Sequence, residues 1–207
     1  MDTREWREFL VDYSAKTLLD PQLEQRASIP SMARRENWLG YPPATDEAIS
    51  DAERRIDRPL PRSLRSFYLV SNGWPCFGRS LHSILPVEKI GWVNDVYSYI
   101  HDILETDFGL YFDACDEITK LAGVNVDEFD QPVSVEPDDH CMRVARSIVL
   151  SDDSESGIIV VDPYDSDPTG EWPSNEWSVW HTSKVWDTAG LVGLFRTLCT
   201  SHPPQIE

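Results

Sequence analysis

TDEAISDAERRIDRPLPRSLRSFYLVSNGW, residues 45 to 74, decides how the rest of the chain is read. It spells two consecutive helices with a proline-marked joint. In the first half Ile49, Ala52 and Ile56 recur at helical spacing, and Thr45 stands where a side-chain oxygen accepts the free amide protons of a first turn. Asp46 and Glu47 suit the positive end of the helix dipole. Leu60-Pro61 restarts the chain, because proline has no amide proton to lose at a helix start and its fixed φ already fits. Leu64, Phe67, Tyr68 and Ser71 then form a core-facing stripe. Asn72-Gly73 is expected to stop this second helix, with Gly73 in the left-handed C′ conformation.

Upstream, Trp6, Phe9, Leu10, Tyr13 and Thr17 share one face of a helix over 4–19, expected to dock on the domain as an N-terminal brace. Asp20-Pro21 ends it. Pro30, Pro42 and Pro43 punctuate a connecting arm anchored by Trp38 and Leu39, so residues 1–37 read as helix and arm and 38–207 as the domain proper.

Downstream, Leu81, Ile84 and Leu85 predict a strand, and Val93, Val96, Ile100, Ile103 and Leu104 predict a helix over 92–104, with His101 in a structural role near its face. Residues 105–140 mix acids with Leu110, Phe112 and prolines at 132 and 137, and no one pattern runs through them. Val144, Ile148 and Leu150 lead through a turn to Ile158-Ile159-Val160-Val161, a hairpin. A strand over 177–182 and a helix over 188–198 close the chain. The fold class is α+β, an antiparallel sheet flanked by helices.

The order of several short motifs carries a family likeness. Ala44, Ile49, Ala52 and Glu53, then Leu60 and Pro61, then Asn72, Gly73 and Trp74 resemble the SUKH superfamily. WLGYPPA at 38–44, ILPVEKIGW at 84–92 and GEW at 170–172 extend the resemblance, and beside the family's shorter members residues 105–140 look like an insertion. That superfamily includes bacterial immunity proteins of toxin systems and a fungal cell-wall-assembly regulator. The resemblance implies a cytoplasmic immunity protein that binds a toxin domain, often a nuclease, and blocks its active site. A regulatory scaffold or adaptor is the alternative. Glu53, Leu60, Pro61, Asn72 and Gly73 are the motif residues expected to have structural roles, Glu53 as a hydrogen-bonded carboxylate tying its helix to a loop.

Charge narrows the partner. Thirty-six Asp and Glu against 18 Lys and Arg give −18, which repels a phosphate backbone and an anionic membrane and favours a basic protein. No apolar run approaches the ~20 residues that span a bilayer, and MDTREWREFL is not a secretory leader. A cytoplasmic protein with reduced cysteines at 76, 115, 141 and 199 is expected.

Catalytic and metal motifs are missing. There is no G-x-S-x-G elbow, phosphate-binding glycine loop or H-E-x-x-H. Asp162, Asp165, Asp167 and Glu171 lack the spacing of a calcium loop, and adjacent Asp138, Asp139, His140 and Cys141 do not converge as zinc ligands. No cofactor is implied, and a small-molecule enzyme is the weakest class. DPYDSDPTGEW, residues 162–172, instead reads as an acid-rich exposed loop beside Trp172, Trp177 and Trp180. Those seven residues are the candidates for contacting a partner, the acids steering and the tryptophans packing. Trp177 and Trp180 fall on opposite faces of a strand.

Overall fold

The computed structural model describes residues 1–19, 31–77, 82–100, 143–153, 157–177 and 186–200. Helix α1 (Thr3–Thr17) starts where Asp2 caps it: the carboxylate accepts the amides of Arg4 and Glu5, and Glu5 accepts the Asp2 amide in return. Its buried face of Trp6, Leu10 and Ser14 is spent inside the molecule. The Trp6 indole donates to the Ser63 carbonyl at 2.8 Å, and its ring meets Phe67 and Phe195 edge-on at 5.3 Å.

Where the prolines predict plain connecting arm there is a short helix, α2 (Ser31–Glu36). Beyond it the Leu39 amide donates to Ser14 Oγ, and Trp38 packs edge-on against Trp74 at 5.2 Å. Gly40 lies in this packing. A Cβ there would sit 2.6 Å from both Ser71 Oγ and the Trp74 ring, so only glycine fits.

Helix α3 (Asp46–Ile56) buries Ile49, Ala52 and Ile56, and Thr45 Oγ1 accepts the Ala48 amide at 3.1 Å. Asp57 ends it in the left-handed region at φ 53°, a position usually left to glycine or asparagine. Helix α4 (Arg62–Tyr68) follows with Pro61 at its N-cap, and buries Leu64, Phe67 and Tyr68.

Helix α4 ends sooner than its apolar stripe predicts. Ser71 is buried but outside the helix, its hydroxyl accepting the Tyr41 amide and donating to the Gly73 carbonyl at 2.6 Å. That hydroxyl gives the backbone an alternative to another helical turn. Gly73 does take a positive φ, 96°, but in the turn entering β1 and not at a C′ position. A Cβ on it would meet the Ile84 carbonyl at 2.6 Å. Gly73→Ala is therefore expected to destabilise the fold by about 2 kcal/mol, from φ strain plus a backbone clash. Thermal unfolding checks it, and an unchanged midpoint would contradict the close approach.

Strands β1 (Trp74–Phe77) and β2 (His82–Ile84) form an antiparallel pair. A second antiparallel sheet runs β3 (Gly91–Trp92), β4 (Ile148–Val149), β5 (Ile158–Val161), β6 (Ser174–Trp177) in spatial order. An isolated bridge between Ile84 and Ser151 links the two. The unbroken Ile-Ile-Val-Val run of β5 is explained by burial on both faces. Ile159 and Val161 join the core made by α1, α3, α4 and the last helix, α6 (Gly190–Thr200). Ile158 and Val160 join a second core with Val93, Ile100, Val144 and Trp177. The fold is α+β, with antiparallel sheets flanked by helices.

The helix expected over 92–104 is interrupted. Helix α5 (Val93–Val96) stops at Tyr97, whose φ of −133° and ψ of 73° leave helical space while Val93 and Ile100 stay buried. His101, Ile103, Leu104, the 105–140 insertion and the Asp138–Cys141 group lie outside the described residues. Strand β6 begins before the predicted 177–182 segment, and Trp180 also lies outside the described residues. Among the described residues no helix is long and apolar enough to cross a membrane.

Candidate functional site

The segment after β5 begins with a carboxylate pulled inward. Asp162 is fully buried, and its Oδ2 accepts from Arg143 Nε at 2.7 Å and from Arg146 at 3.0 Å. Its Oδ1 accepts the Tyr164 amide at 2.9 Å. Two guanidiniums and a turn amide offset the cost of taking this charge out of water. The expectation that Asp162 is exposed for a partner is thereby corrected: it is the internal anchor of the loop.

Asp165 stays at the surface with 62% of its side chain exposed, although Arg143 also reaches it at 2.6 Å. Asp167 is partly exposed and shapes the turn. One oxygen, Oδ1, accepts from the Thr169 amide and hydroxyl and from the Glu171 amide, all within 2.9 Å. The Thr169 hydroxyl first, and the Glu171 amide next, hold this carboxyl below its ordinary value. A depressed carboxyl supports the fold above its unfolded value, and that support is lost as pH falls through the folded one.

Glu171 points back into the molecule. Its carboxylate accepts the Ser63 amide at 3.1 Å and the Ser63 hydroxyl, fastening the loop to the first turn of α4. Trp172 and Trp177 are 6% and 5% exposed, the first in the main core and the second in the smaller one. Their expected place at a partner surface is corrected too, because burying so large an apolar area inside the fold outweighs displaying it. Of the seven sequence candidates, Asp165 and Asp167 thus remain at the described surface.

The motif residues hold the frame. Glu53 ties α3 to the joint, accepting the Leu60 amide at 3.0 Å and Arg65 at 3.2 Å, while Arg65 also reaches Asp46 at 2.7 Å. Leu60 is buried, and the Pro61 carbonyl accepts the Arg65 amide at 2.9 Å. Asn72 clamps two turns together: Oδ1 accepts the Val87 amide at 2.8 Å, the side-chain amide donates to Glu88 at 2.9 Å, and the backbone amide donates to the Pro42 carbonyl. WLGYPPA, NGW and ILPVEK are therefore one joint seen from three places in the chain.

Two arginines of the site carry no signal in the sequence. Arg143 and Arg146 surround Asp162 from 16 to 19 residues away, and Arg143 also lies over the Trp186 ring at 4.1 Å. No local pattern announces such pairs. Among the described residues, no group of three His, Cys, Asp or Glu side chains is placed to hold a metal ion.

The joint and the loop are also where the chain matches known proteins. A family model described as the SMI1 / KNR4 family (SUKH-1) matches residues 43–188. No curated protein matches the chain. The match spans α3, the joint, both sheets and the anchored loop, and on that coverage the chain belongs to the SMI1 / KNR4 family (SUKH-1).

Proposed function

We propose that this protein is a cytoplasmic immunity protein that binds a basic toxin domain and neutralises it by direct contact. Family membership supports an immunity-like or SMI1/KNR4-type role. The observation that favours the first is charge, −18 on 207 residues. A nuclease or similar toxin domain presents a basic surface to its substrate, and an acidic protein is steered towards it before any contact forms. Twelve of the acids, against the single Lys120, fall between residues 101 and 142. On the described surface Asp165 adds to the field from a fixed loop.

The reading is of a binding protein, not an enzyme. The regulatory-scaffold alternative draws on the same family membership, and neutralisation separates the two. Co-expression with the product of the neighbouring reading frame should rescue growth and yield an isolable complex. Toxicity unchanged by co-expression would favour the scaffold.

Asp165→Asn is expected to lower the association rate with that partner by roughly two-fold and to flatten its salt dependence. It should leave stability nearly unchanged, because an exposed ion pair contributes little. Asp167→Asn differs, since its three hydrogen bonds make it part of the turn. Kinetics across a salt series check both. A wild-type rate and slope for Asp165→Asn would remove the loop from the docking surface.

A further inference from the structure

The Asn72-Gly73 pair has a chemistry of its own. Of the five asparagines in the chain only Asn72 is followed by glycine, the others preceding Trp38, Asp95, Val126 and Glu176. A backbone nitrogen whose own residue has no Cβ can reach the preceding side-chain amide, and asparagine is among the thermolabile residues for that reason. The folded joint occupies that amide. Asn72 Oδ1 accepts the Val87 amide at 2.8 Å, and Nδ2 donates to both Glu88 oxygens, at 2.9 and 3.2 Å.

Gly73 is held as well. Its amide donates to the Ser71 carbonyl at 2.9 Å, and the Asn72 amide before it donates to the Pro42 carbonyl at 3.1 Å. The turn has little room to swing, since a Cβ on Gly73 would already lie 2.6 Å from the Ile84 carbonyl. Asn72 cannot turn its side chain towards Gly73 without releasing its hydrogen bonds to Val87 and Glu88. The pair is reactive by sequence and shut by structure.

We propose that Asn72 is a masked deamidation site, which reacts when this joint opens and whose product weakens the joint it came from. In the open state the Gly73 nitrogen gives its proton to water and attacks Asn72 Cγ. The Cγ–Nδ2 bond breaks, and Nδ2 leaves as ammonia with a proton taken from solvent. The five-membered imide so formed adds one water and opens at either carbonyl, to aspartate or isoaspartate. Either product carries a carboxylate where the amide donated to Glu88. Two carboxylates then face each other across the clamp with no donor between them, which opposes its closing again.

Incubating the full chain at neutral pH, native or unfolded in guanidinium, and mapping its peptides by mass tests the masking. The peptide that holds Asn72 should gain one dalton at least about tenfold more slowly in the native protein, because reaction waits on opening. Asn72→Asp, which copies one product, tests the effect on the joint. Its unfolding midpoint should fall by about 5 °C. Adding Glu88→Gln, whose amide can donate back to the new carboxylate, should restore about half of that loss. Reaction of native Asn72 at the unfolded rate would overturn the masking, whatever the variants do. A wild-type midpoint for Asn72→Asp, or a double variant no more stable than the single one, would overturn the weakening of the joint.

Discussion

Trp6→Ala is expected to destabilise the protein by about 4 kcal/mol, the upper range for emptying a large aromatic site. The ring is fully buried and touches Phe9, Phe67 and Phe195, so its removal leaves a cavity between three elements. The Ser63 carbonyl also loses its donor. Ser63 is the residue whose amide and hydroxyl bind Glu171, so α1, α4 and the loop before β6 meet at one point. For a chain of this size the midpoint should fall by roughly 10 °C. Chemical denaturation measures the difference directly. A loss below about 1 kcal/mol, the typical value for any point substitution, would mean that α1 is an accessory to the core.

Asp162→Ala is expected to cost about 3 kcal/mol, because breaking a buried pair leaves the opposite charge uncompensated. Arg143, with 21% of its side chain exposed, would retain only surface Asp165 and the Trp186 ring. The Tyr164 amide would lose its acceptor, and the loop its start. Asp162→Asn should cost less, since the amide oxygen can keep one of these bonds. Urea unfolding of both variants checks the order Asn above Ala. Wild-type stability in Asp162→Ala would show that the carboxylate is not the anchor.

Local periodicity was legible where one face of an element is buried. Ile49, Ala52 and Ile56 announce α3, and Thr45 its start, because capping and burial depend on near neighbours alone. The hairpin of β4 and β5 was legible from β-branched residues, although two-sided burial of Ile158–Val161 needed the second core to be seen. The end of α4 was not legible. It depends on Ser71 meeting Tyr41, thirty residues away.

The candidate loop shows the same division more sharply. DPYDSDPTGEW is turn-forming in sequence and a turn in structure, with Asp167 closing it. Which of its acids face water was not legible, because Arg143, Arg146 and Ser63 reach Asp162 and Glu171 from distant parts of the chain. Acid density alone does not distinguish a steering charge from an internal anchor.

The most direct measurement of the proposed neutralisation is the association rate of the purified protein with the product of the neighbouring reading frame, the proposed toxin, followed over a salt series alongside that product's toxicity. Fast association that falls steeply with salt, and loss of toxicity in step with complex formation, are expected. A complex that forms at a salt-independent rate, or that leaves the product toxic, would contradict the proposal.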